Sequence, residues 1–216
     1  MNKKVIIGLV IGILVAIIIA IGVCAFIKSN DDGLRFKREY EALNGQYNKD
    51  GDRYREISIN RNNNVVYLTY DELVDFAANG TGLLFFGRPG CPFCRALVPT
   101  MLDFADEQDI NIYYFNIEYD REANNERYQH ILALFDEFLP TDTATQNEDD
   151  PDFNPNLKRV VLPHLFFLRD GIIKTDLALN NHDYLLNNDV ENMRRLLLQA
   201  NQTIAEGSGV CTINSC

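Results

Sequence analysis

Leu83-Leu84-Phe85-Phe86-Gly87-Arg88-Pro89-Gly90-Cys91-Pro92-Phe93-Cys94-Arg95 is the stretch whose reading decides the fold. Leu83 to Gly87 is a short apolar run of the kind a buried strand uses. From Arg95 to Gln108 the apolar residues Leu97, Val98, Met101, Leu102, Phe104 and Ala105 recur at helical spacing. Cys91 therefore falls near a helix N-terminus, where unpaired backbone N–H groups and the helix dipole favour thiolate over thiol. Cys94 stands three residues on, placed to attack a mixed disulfide formed at Cys91. The same spacing also serves as half of a zinc site, which needs two further ligands. The chain has no second CxxC, and its three histidines, His130, His164 and His182, are not paired at ligand spacing.

Working outward, Val65-Val66-Tyr67-Leu68 reads as a strand, and Thr69-Tyr70-Asp71-Glu72 as a capping box opening a helix that Asn79-Gly80 closes. Ile110 to Ile117 is the next strand. Asp120 is placed to cap a helix running to about Phe138, which Leu139-Pro140 stops. Residues 141–156 form an acidic loop insertion. His164 to Leu168 and Ile172 to Lys174 are strands joined at Asp170-Gly171, a strong hairpin signal. Asn188-Asp189-Val190-Glu191 caps a last helix. Alternating β and α segments imply parallel strands with helical crossovers, and the hairpin adds antiparallel pairing.

The ends of the chain read differently. Val5 to Ile27 carries no charged residue and follows Lys3 and Lys4. At about 1.5 Å per residue its helix would reach roughly 30–35 Å, enough to cross a bilayer core. Residues 1–28 are accordingly expected to be an uncleaved transmembrane anchor. Cys24 either packs in that helix or, as in Ile21-Gly22-Val23-Cys24, accepts a lipid. Residues 29–64 are polar and read as a stalk with an extra strand at Arg55 to Ile59. Residues 203–216 read as a flexible tail. Its Cys211 and Cys216 suit a second disulfide in an oxidising compartment, a pair exchanging with Cys91, or free thiols. The net charge of −11 comes with no basic stripe, which argues against nucleic-acid partners.

In order along the chain, three features of Val65 to Gln202 resemble the thioredoxin superfamily: the strand–CxxC–helix unit, Pro99 five residues after Cys94, and Leu162-Pro163-His164-Leu165-Phe166-Phe167-Leu168-Arg169-Asp170-Gly171. The resemblance implies an α/β thioredoxin fold over 65–202: a central mixed sheet of four to five strands flanked by helices. It implies a cis Pro163 facing the dithiol, with Leu162 beside it in a groove for substrate. The chain departs from the family's pattern at Gly90, where thioredoxins have Trp, at Phe85, where they have a buried carboxylate, and at Tyr114, where they often have lysine. The usual proton acceptor for Cys94 is thus missing. Pro92-Phe93 between the cysteines is more similar to glutaredoxins and some exported disulfide oxidases. Arg88 and Arg95 flank the pair as candidates for lowering the thiolate pKa.

These readings converge on a membrane-tethered, extracytoplasmic thiol–disulfide oxidoreductase, similar to those of Gram-positive bacteria, including thioredoxin-like proteins linked to bacteriocin export. The resemblance implies client proteins with cysteines and a membrane or extracytoplasmic redox partner. It implies no metal and no organic cofactor, since the cysteine pair is the redox centre. The alternatives are a redox-silent chaperone or adaptor on the same fold and a metal-binding module.

Overall fold

The computed structural model describes residues 32–141, 154–179 and 183–205, with positions 11, 13–15 and 17, which are helical. The segment expected to be an anchor is otherwise outside the described residues, as are Cys24, most of the acidic insertion, Cys211 and Cys216. No helix among the described residues is long and apolar enough to cross a membrane. A helix over 32–41, α1, comes first. There follow β1 (Val65–Tyr67), α2 (Tyr70–Asn79), β2 (Gly82–Gly87), α3 (Pro92–Glu107), β3 (Ile112–Asn116), α4 (Glu118–Ala123), α5 (Glu126–Phe135), β4 (His164–Arg169), β5 (Ile172–Ala178), α6 (Asp183–Leu186) and α7 (Val190–Ala205).

The five strands form one sheet in the order β1-β3-β2-β4-β5. β3 runs parallel to both β1 and β2, while β4 is antiparallel to β2 and to β5. The central strand, β2, is buried from Leu83 onward, which is why its sequence is apolar without alternation. On one face Phe85, Tyr114 and Tyr67 line up with Phe36 and Tyr40 of α1; on the other, Phe86 and Phe166 pack on Phe135 of α5. α3 and α7 pack on each other, and α7 lies on β4 and β5.

Local signals place the element ends. Thr69 and Glu72 form the expected capping box. Asp170 and Gly171 have φ of 51° and 72°, as a two-residue primed hairpin turn demands. The Gly171 N–H donates to the Gly80 carbonyl at 2.9 Å, so the turn rests on the end of α2.

Three expectations need correcting. Of the stalk expected over 29–64, the described residues 32–64 are packed on the domain instead: α1 buries Phe36 and Tyr40 completely, and Ile57 and Ile59 are buried too. Tyr67 donates from its hydroxyl to Glu39 and from its backbone N–H to Asp32, which ties α1 to β1. Arg55 to Ile59 is not a strand. Its backbone is satisfied by side chains instead: the Ile57 N–H donates to Asn44 Oδ1, the Asn44 amide to the Ile57 carbonyl, and the Ile59 N–H to Glu41 Oε1. Third, the helix expected from Asp120 to Phe138 is two helices and a 3-10 turn at Asp136–Phe138. Asn124 takes a left-handed φ of 44°, and Asn125 caps α5 by accepting from the Tyr128 N–H at 2.9 Å.

Candidate functional site

β2 ends at Gly87, and three residues carry the chain to Cys91, the N-cap of α3. Pro92 takes the first helical position, where its missing N–H and fixed φ suit the helix. The Cys94 N–H donates to Cys91 Sγ at 3.3 Å, and the Cys91 thiol donates to the Leu162 carbonyl at 3.6 Å. The Leu162–Pro163 peptide is cis. The segment before β4 therefore meets the dithiol through a main-chain oxygen.

Both thiols are free, with Cys91 5% exposed and Cys94 fully buried. Their environments push them apart. Hydrogen bonding from the Cys94 thiol, and less strongly the Cys94 N–H and the positive Arg88, holds the Cys91 thiol below its ordinary pKa against the opposing effect of burial. Burial, and then Cys91 itself, pushes Cys94 well above it. An asymmetric dithiol with a low outer and a high inner member can form one thiolate readily and hold the second proton until a mixed disulfide removes the first charge.

The flanking arginines separate in role. Arg88 is half-buried, pairs with Glu118 and acts on Cys91. Arg95 does not act as expected: one residue beyond Cys94 on α3, its side chain leaves the dithiol for the N-terminal segment. It is fully buried and donates to the carbonyls of Tyr40 (2.7 Å), Arg55 (2.8 and 2.5 Å) and Pro89 (3.3 Å) and to Asn44 Oδ1 (2.7 Å). Arg95 thus pins α1 and the chain around Arg55 to α3. Phe93 is half-buried on the core and Pro92 is exposed beside Cys91. Leu162 and Pro163 are buried. His164 is buried; its Nε2 lies 2.9 Å from Asp176 and its ring stacks on Phe166.

Phe85, standing where thioredoxins carry a carboxylate, lies in the aromatic cluster against Tyr114. The polar groups there are two phenols. Tyr114 donates to the Gly87 carbonyl at 3.3 Å. The Tyr40 hydroxyl is fully buried, and the Tyr40 ring lies 6.4 Å from that of Tyr114. Tyr40 was not legible as a site residue; its only sequence signal is its spacing of four from Phe36.

A five-stranded mixed sheet in this order, covered by helices and carrying a cysteine pair at the helix start after β2, fits a thioredoxin-like α/β fold. No family model matches the chain, and no curated protein matches it in sequence. Among solved structures it is similar to thioredoxin O2 from Arabidopsis thaliana in the oxidized state, with 15% identity over 63% of this chain and 94% of that one and a TM-score of 0.38. A likeness that faint carries no argument of its own; the fold rests on the sheet order and on the position of the cysteine pair.

Proposed function

We propose that the protein is a thiol–disulfide oxidoreductase acting on protein cysteines through Cys91 and Cys94. The observation that carries the reading is the asymmetry of the pair: an outer thiol held low at a helix N-terminus and an inner one, hydrogen-bonded to it, raised by burial. In the reductive direction the Cys91 thiolate attacks one sulfur of a client disulfide. The client S–S bond breaks, one client sulfur leaves and takes a proton, and a mixed disulfide remains. Cys94 loses its proton and attacks Cys91 Sγ, the second client sulfur leaves and is protonated, and the Cys91–Cys94 disulfide forms. The client gains two electrons and the protein loses two; the oxidative direction is the reverse. In this reading an extended client segment would lie against Leu162 and Pro163, whose segment meets Cys91, and beside the exposed Pro92.

The reading extends to a domain tethered outside the cytoplasm, supported by the uncharged run Val5 to Ile27 behind Lys3 and Lys4. It needs no metal or organic cofactor, and a membrane or extracytoplasmic partner would reset the dithiol. The Cys94→Ser chain tests it. Produced in cells, it is expected to accumulate mixed disulfides with client proteins that dithiothreitol releases, while Cys91→Ser accumulates none. Absence of adducts on Cys94→Ser would overturn the reading.

A further inference from the structure

Gly90 puts bare backbone directly before Cys91, and a residue from far upstream lies against it. A Cβ added at Gly90 would sit 3.6 Å from the Tyr54 hydroxyl oxygen and 4.0 Å from the ring carbon Cε1, which is ordinary van der Waals contact. Consecutive Cα atoms are about 3.8 Å apart, so the phenol stands within one residue of Cys91. Tyr54 is held there by its chain neighbours. Its N–H donates to the Gln46 carbonyl at 3.0 Å. The carbonyl of Arg55, the next residue, accepts two bonds from Arg95 at 2.8 and 2.5 Å, and the Arg55 guanidinium donates to the Leu186 carbonyl at 2.6 Å. The Arg95 guanidinium also lies over the Tyr54 ring, 5.7 Å from its centroid. Arg95 follows Cys94 on α3, so the ring is tied to the helix that carries the dithiol. Tyr54 is half-buried and keeps part of its surface open, and Pro92 is exposed on the other side of Cys91 in sequence.

We propose that Tyr54 is a specificity-determining residue of this dithiol: its ring forms a wall beside Cys91 that takes an apolar side chain neighbouring the client cysteine. The inference rests on the redox reading above and names the kind of client segment the site selects. Cys91 is 5% exposed, so a client must lie on the surrounding surface to bring a disulfide to it. Gly90 adds no side chain to that surface, and Tyr54 does. A tyrosine ring offers a large contact area and has only two χ angles to fix on binding. With the backbone on either side pinned by Gln46 and Arg95, much of that ordering is complete before the client arrives.

The test reads selectivity, so that a general loss of reactivity cancels. The full chain, in detergent and with Cys24, Cys211 and Cys216 replaced by serine, is reduced and mixed with either of two peptides. Both peptides carry a single cysteine joined by a disulfide to 2-nitro-5-thiobenzoate; the residues beside it are leucine in one and glycine in the other. The Cys91 thiolate attacks the peptide sulfur, the aryl thiolate leaves with the electron pair of the broken bond, and a Cys91–peptide disulfide forms. Cys94 then loses its proton and attacks Cys91 Sγ, and the peptide thiolate leaves and is protonated. The mixed disulfide reagent gains two electrons and the Cys91–Cys94 pair loses two. Aryl thiolate release is followed by its colour, and each rate is divided by that of dithiothreitol with the same peptide. In the unsubstituted chain the leucine peptide is expected to react about fivefold faster than the glycine peptide, the worth of one modest apolar contact. Tyr54→Ala should bring the ratio close to one, and Tyr54→Phe should keep it. A ratio unchanged in Tyr54→Ala, or close to one in the unsubstituted chain, overturns the inference while leaving the redox reading in place. If Tyr54→Ala does not fold, the leucine peptide trapped on the Cys94→Ser chain decides: nuclear Overhauser contacts between its methyl groups and the Tyr54 ring are expected, and their absence overturns the inference. No aryl thiolate release from either peptide overturns both readings.

Discussion

At the scale of single residues, Cys91 owes its acidity to neighbours that are separately removable: the Cys94 thiol first, then the Cys94 N–H and Arg88. Alkylation by iodoacetamide follows the thiolate, so its pH midpoint for Cys91 is expected below that of a free thiol. Arg88→Ala should raise that midpoint, and an unchanged one would remove Arg88 from the account. The two sulfurs also couple folding to pH with opposite signs. Cys91 is lowered in the fold, so it adds stability to the reduced protein above the ordinary thiol value, and that increment fades as pH falls through its folded value. Cys94 is raised, so its contribution is present below the ordinary value and is lost as pH rises through its folded one. Reduced protein melted across that range should keep the Cys94 slope in Cys91→Ala, since burial causes most of it, while the Cys91 slope should shrink in Cys94→Ala, which removes the thiol that holds Cys91 low.

At the scale of elements, Arg95 is the joint between α3 and the N-terminal segment. Arg95→Ala takes the guanidinium donor from the Arg55 and Pro89 carbonyls and leaves the Tyr40 carbonyl and Asn44 Oδ1 with only the Leu43 and Ile57 N–H groups. Buried acceptors left unmet make a loss of about 3 kcal/mol or more the expectation in denaturant melts. Arg95→Lys, with one point of charge instead of a planar fork, should recover only part of it. The hairpin gives a second case: Gly171→Ala needs a left-handed residue whose Cβ would lie 1.9 Å from the Ala78 carbonyl oxygen. A loss of about 1–3 kcal/mol from backbone strain, with the clash added, is expected in the same measurement. The capping box at Thr69, the hairpin at Asp170-Gly171 and the strand–CxxC–helix unit were legible because each signal lies within a few residues of the feature it specifies. The break at Asn124-Asn125 was not, because the apolar spacing from Tyr128 to Phe138 continues a helical pattern while the interruption sits among polar residues that also suit a first turn.

For the whole molecule, α1 and residues 53–59 belong to the folded unit. A chain beginning at residue 65 exposes Tyr114 and leaves Arg95 only the Pro89 carbonyl as acceptor, so it is expected to be insoluble or to melt without cooperativity; one beginning at residue 29 should melt cooperatively. Calorimetry on the two checks this, and equal melting would return the segment to the role of a stalk. Its polar composition hid it, because among its described residues only Gly33, Phe36, Tyr40, Ile57 and Ile59 are buried, and Asn44, Glu41 and Asp32 side chains hold backbone groups of Ile57, Ile59 and Tyr67. The same distance in sequence concealed half of the site: Cys91, Cys94 and Pro163 declare themselves locally, whereas Arg95 meets the Tyr40 carbonyl across 55 positions. The central claim is that Cys91 and Cys94 exchange two electrons as a pair, and a redox titration of the full chain tests it most directly. After equilibration in a dithiothreitol or glutathione series and alkylation, mass analysis should show both residues becoming protected together. The transition is expected to be two-electron, about 30 mV per tenfold change, with a midpoint in the span from about −270 to −120 mV known for such pairs. Cysteines that remain alkylated independently across the series, with no joint transition, would contradict the account.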